Sequence, residues 1–136
     1  MAARSKLAVL GACVFCLTAC AKSALTPSTL HYRRVALSPE PVEQELLPGP
    51  PATAGMRSGR VVLKPGEQMH RHSTNDNEEF LVFLRGKARV VLGAENATLE
   101  AGQVLYIPPN TEHELFNDGP DELRYIYTVA PAAQHR

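Results

Sequence analysis

The sequence predicts an all-β chain folded as one small sandwich or barrel, and three observations carry that prediction. From Met56 onward, short runs rich in Val, Leu, Ile, Tyr and Phe recur at near-regular intervals between clusters of Gly, Pro, Asn and Asp. Strand parity gives those runs a sensible inside and outside, as in 112–117, where Glu112 and Glu114 alternate with His113 and Leu115. No helical periodicity of useful length follows the first 20 residues. At 136 residues there is room for one domain.

The elements follow in order. Residues 32–37 and 42–47 read as short edge strands, because Pro39, Pro41, Pro48, Pro50 and Pro51 forbid a long helix or a central strand there. Arg57–Leu63 is a strand closed by Lys64-Pro65-Gly66. Residues 67–72 form the next, before a turn-rich Ser73-Thr74-Asn75-Asp76-Asn77. Residues 79–84 and Lys87–Leu92 make a hairpin around Arg85-Gly86. A short strand over 97–100 leads through Ala101-Gly102 into 103–107, which stops at Pro108-Pro109-Asn110. Residues 111–116 end at Asn117-Asp118-Gly119-Pro120, and 123–129 is the last strand.

The start of the chain has another character. Arg4 and Lys6 precede an apolar stretch, Leu7 to Leu17, too short to span a bilayer. It ends in Leu17-Thr18-Ala19-Cys20, which resembles the lipobox of bacterial lipoproteins: a small-residue cleavage site before the cysteine that takes lipid. Residues 1–19 are therefore expected to be a signal peptide. Residues 20–55 are a lipidated Cys20, a tether and a Pro-rich segment; 56–131 are the barrel and 132–136 a tail. Of 14 basic and 14 acidic residues the leader takes Arg4 and Lys6, so 12 and 14 remain, a net charge of minus two. With no basic cluster or stripe, nucleic acid is not an expected partner. Cys13, Cys16 and Cys20 are the only cysteines, so the body has no thiolate nucleophile or ligand and no disulfide. Ala21 lacks the usual Asp signal for inner-membrane retention, which points to the outer membrane facing the periplasm.

The chemistry concentrates in two segments. The first, 66–86, reads GEQMHRHSTNDNEEFLVFLRG; the second, 102–117, reads GQVLYIPPNTEHELFN. They resemble the two motifs of the cupin superfamily, G-x5-H-x-H-x3–4-E-x6-G and G-x5-P-x-G-x2-H-x3-N. The second fits through Gly102, Pro108, Asn110 in the glycine's slot, His113 and Asn117. Asn tolerates positive φ, so that departure is mild. The first fits through Gly66, His72, Glu79 and Gly86, with Thr74 where the second histidine belongs. The resemblance covers roughly residues 56–131 and implies a jelly-roll barrel, or double-stranded β-helix, with a metal held by histidines and a carboxylate.

Two registers of the first motif stay open. In one, His72, Glu79 and His113 are the ligands and Thr74 fills the second slot. In the other, His70 and His72 are the pair and the loop before Glu79 is two residues longer. In a regular strand 70, 72 and 74 share one face. A threonine hydroxyl is a poor ligand for these metals, which favours His70, His72, Glu79 and His113. The motif's six-residue spacing to Gly86 favours Glu79 over Glu78 as the inward carboxylate, and if Glu79 points inward, parity turns Leu81 and Phe83 inward and Glu78 outward. Asn117 is expected to satisfy backbone groups at a strand end, and Arg60, Tyr106, Tyr125 and Tyr127 are candidates to line the cavity. Such N/O donors suit a divalent transition metal: iron, manganese, nickel or zinc. The resemblance therefore implies a metal-binding module with a small-molecule ligand or a metal-dependent enzyme, such as a dioxygenase, isomerase or decarboxylase. Expected partners are that ligand, the membrane through Cys20 and a second copy in a homodimer.

Overall fold

The computed structural model describes residues 32–133, with the compact unit beginning at Arg34. The leader, Cys20 and the first part of the tether lie outside the described residues. Within them nine strands and no helix are found. The strands are β1 (Gln44–Leu47), β2 (Arg57–Leu63), β3 (Gln68–Ser73), β4 (Asn77–Arg85) and β5 (Lys87–Leu92). Then come β6 (Glu95–Glu100), β7 (Val104–Ile107), β8 (Glu112–Phe116) and β9 (Leu123–Pro131).

The strands form two antiparallel sheets, ordered β1-β2-β9-β4-β7 and β3-β8-β5-β6. The core joins the two sheets. Val61, Leu63, Leu81, Phe83, Ile107, Leu123 and Tyr125 come from the first; Ala88, Val90 and Leu115 come from the second. Each is an alternate residue of its strand, so the period-2 pattern supplies one apolar face per sheet. Phe83 and Leu81 are 1% exposed. Burying each such side chain stabilises the fold by about 1.5–3 kcal/mol.

The expected strand over 32–37 is not formed: these residues carry no strand. The segment is pinned by side chains instead. Gln44 accepts a bond from the Ser38 amide at 2.9 Å and donates to the Ala36 carbonyl at 3.0 Å. Arg60, 4% exposed, donates to the carbonyls of Ser38, Glu40 and Val42. Bonds of this kind satisfy the backbone without a ladder.

Turn residues meet their geometric demands. Gly66 and Gly86 have φ of +83° and +79°. Asn110, in the glycine slot of the second motif, has φ of +56°, the tolerance anticipated for asparagine. Asn117 is 1% exposed and does what was expected of it. Its amide donates to the carbonyls of Leu63 and Asp121, each at 2.9 Å, and its oxygen accepts from the Gly119 amide at 3.1 Å.

Candidate metal centre

Two strands of the small sheet place the imidazoles. His72 on β3 and His113 on β8 are direct cross-strand partners, with ring centroids 4.1 Å apart. Glu79 arrives from β4 in the opposite sheet, pairing with Ile107 on one side and Val129 on the other. Ligand atoms of His72, Glu79 and His113 lie within 4.8 Å of one another. His113 and Glu79 are 2% and 7% exposed, whereas His72 is open to solvent.

Backbone carbonyls orient both rings. Nδ1 of His72 lies 2.9 Å from the carbonyl of His70, and Nδ1 of His113 lies 3.2 Å from that of Thr111. Each Nδ1 must donate there, so each neutral ring keeps its lone pair on Nε2. This is how outer partners fix the tautomer of a metal-ligating histidine.

The His113 Nε2 is buried without a hydrogen-bond partner. It lies 3.2 Å from the Glu79 Oε2, close enough for an ion pair but without hydrogen-bond geometry. A neutral His113 would aim its lone pair at a carboxylate oxygen, so the contact requires a positive charge, either a proton or a metal cation. Burial alone would lower the His113 pKa; the Glu79 carboxylate and the Thr111 carbonyl outweigh it and raise the value above 6.5. Two imidazole nitrogens and a carboxylate oxygen converging this way fit a transition metal with open positions.

His70 is not part of this group. The β3–β8 register shifts between Met69 and His72: Met69 faces Leu115, and His72 faces His113. Two residues of β3, His70 and Arg71, therefore stand opposite one of β8, Glu114, a bulge that breaks the alternation. Met69 and His72 line the cavity while His70 lies exposed, its Nδ1 3.0 Å from the Gln68 amide nitrogen. The expectation that His70 and His72 share a face fails for this reason, and the three converging residues are those of the spacing-faithful register. Thr74 stands in the second histidine's slot as scaffold. Its hydroxyl donates to the Pro108 carbonyl at 2.8 Å and accepts from the Thr111 amide at 3.0 Å. Its own amide donates to the Thr111 carbonyl at 3.2 Å, the group that also holds His113.

Beside the three residues is a cavity of about 300 Å³. Val61, Leu81, Leu115, Tyr125 and Tyr127 contribute its apolar wall, while Thr74, Asn75 and Asn77 are polar. Tyr125 and Tyr127 line it as expected; Arg60 and Tyr106 do not. Arg60 grips the 38–42 segment, and the Tyr106 hydroxyl donates to Glu78 at 3.0 Å on the other face. Sequence reading missed Arg57, which lines the cavity. Parity carried the signal: Arg57 is four and six residues before Val61 and Leu63, both buried.

The model of the family described as "Cupin domain" matches residues 59–129. The chain belongs to the cupin family. Among curated relatives, "Polyketide synthase CurC" of Streptomyces cyaneus is 34% identical over 86 residues, 61% of this chain and 56% of its own length. "Dimethylsulfoniopropionate lyase DddW" of Ruegeria pomeroyi is 34% identical over 84 residues, 60% of this chain and 53% of its own. The chain thus spans little more than half the length of these relatives. A cupin protein from Bacteroides fragilis superposes with a TM-score of 0.65 at 21% identity, covering 77% of this chain and 88% of that one. A cupin with a double-stranded β-helix fold from Methanocaldococcus jannaschii gives 0.59 at 24%, covering 74% and 87%. These structures establish the jelly-roll fold.

Proposed function

We propose that this cupin is a metal-binding module of the cell envelope that also takes a small-molecule ligand. His72 and His113 bind one divalent transition metal through Nε2, and Glu79 binds it through a carboxylate oxygen; iron, manganese, nickel and zinc all accept such donors. The observation that carries the reading is the buried, partnerless His113 Nε2 facing Glu79 within a group of three donor atoms. A metal there supplies Lewis acidity and, in the case of iron, redox chemistry. The cavity beside it supports the ligand. Metal analysis of protein purified without a histidine tag tests the proposal. About one equivalent is expected, removable by chelator, and full occupancy in the His72→Ala, His113→Ala double variant refutes the site.

A second reading, a metal-dependent enzyme, is favoured by the cavity's position against the donors and by a relative that is named a lyase. Substrate-dependent turnover or oxygen uptake by the loaded protein selects it; metal-linked ligand binding without turnover selects the module.

The envelope location rests on Leu17-Thr18-Ala19-Cys20. Cys20 carries the lipid and holds the barrel at the outer membrane, facing the periplasm. Cys20→Ser is expected to release the protein from the membrane fraction or leave it unprocessed. Normal maturation and detergent partitioning of that variant would remove the anchor from the proposal.

A further inference from the structure

Among the described residues, the cavity is lined by one side chain that is always cationic. Among the described residues Arg57 is its only lining lysine or arginine, and Glu79 its only acid. Register places the two deliberately. Arg57 pairs with Val129, and Val129 pairs with Glu79, so the three form one row across β2, β9 and β4. Residues in such a row face the same side of a sheet. Val129 and Glu79 both line the cavity, and so does Arg57. Adjacent strands are about 4.8 Å apart, so the Cα atoms of Arg57 and Glu79 are separated by about 10 Å. That gap suits a short molecule reaching from the guanidinium to the metal-binding group.

Among the described residues Arg57 makes no ion pair, and it is exposed. Its neighbour in the next inward row is Gly59, which pairs with Tyr127. A Cβ at Gly59 would lie 2.7 Å from the Tyr127 ring, so the glycine makes room for that ring over β2. A divalent metal, one carboxylate and one guanidinium leave the cavity net positive. Low-dielectric walls focus such a field on an incoming anion.

We infer that the ligand is a small organic carboxylate, paired through its carboxylate with Arg57 and reaching the His72, Glu79 and His113 group through a second oxygen. This rests on the metal-binding reading above. Its body lies along Val129, beside the adjacent row in which Tyr127 pairs with Leu81. A planar guanidinium receives a carboxylate through two parallel bonds, which a lysine cannot reproduce.

The test uses the purified mature chain, with and without manganese, and the probes succinate and glutarate beside their diamides, by calorimetry. The loaded protein is expected to bind the dicarboxylates and ignore the diamides. Arg57→Gln is expected to weaken dicarboxylate binding about tenfold or more, with melting temperature and metal stoichiometry unchanged, and Arg57→Lys to fall between. Equal binding of acids and diamides, indifference to Arg57→Gln or no dicarboxylate binding at all would overturn the inference. Absent metal uptake with Arg57-dependent dicarboxylate binding retained would sink the metal reading and keep Arg57 as the anion site. Metal uptake with Arg57-independent binding would sink the anion site alone.

Discussion

The His113 side chain links local geometry to chemistry. Its Nδ1 is committed to the Thr111 carbonyl and its Nε2 faces Glu79 without a hydrogen bond, so its bonding is incomplete without a cation. With three protein donors, removing one leaves too few to hold a metal tightly. His72→Ala, Glu79→Ala and His113→Ala are each expected to lose most metal, the affinity falling by two orders of magnitude or more. His70→Ala is expected to keep it, because the imidazole lies exposed outside the group and only its carbonyl contacts His72. Equilibrium dialysis of the four variants decides the matter, and metal loss in His70→Ala matching that in His72→Ala would restore His70 as a ligand.

How much of the site is legible from sequence depends on whether a strand is regular. On β4 and β8, the motif spacing picks Glu79 and His113 as inward and parity then carries Leu81, Phe83 and Leu115 inward with them, and all are buried. On β3 it failed, because QMHRHS has no apolar alternation to reveal a bulge. Turn glycines were legible as turns, but not in what they cost. Gly66 and Gly86 have the same sign of φ and different surroundings. A Cβ at Gly66 meets nothing within 4 Å, whereas at Gly86 it would lie 2.7 Å from the Glu122 carbonyl oxygen and 2.9 Å from the Leu123 Cα. Gly66→Ala is expected to cost about 1–2 kcal/mol, the strain of left-handed backbone alone. Gly86→Ala adds overpacking against backbone that cannot rotate away, about 1–3 kcal/mol more. Chemical denaturation of the two variants gives the comparison, and equal losses would show that the hairpin yields at no cost.

At the scale of the whole molecule, the candidate ligands join the two sheets: His72 and His113 stand on one and Glu79 on the other. A metal there cross-links the barrel only when it is folded, so binding raises stability by mass action. At a hundred times its dissociation constant a metal adds about 2.7 kcal/mol. For a domain of this size that is a rise of roughly 10 °C or more in melting temperature. Protons compete for the same nitrogen. In the metal-free protein the His113 pKa stands above 6.5, with burial opposing and the Glu79 contact and Thr111 carbonyl prevailing. A folded pKa above the unfolded one contributes stability that is complete below the unfolded value and is lost as pH rises through the folded one. The metal-free protein therefore loses this contribution on going alkaline, just where a neutral His113 becomes available to a metal. The metal-induced rise in melting temperature is thus expected to be largest above the folded pKa and to shrink as pH falls through it toward 6.5. Melting curves with and without metal, from about pH 8 to about pH 6, measure this directly. A rise that stays constant, or grows with acid, would exclude His113 as a ligand that must shed its proton.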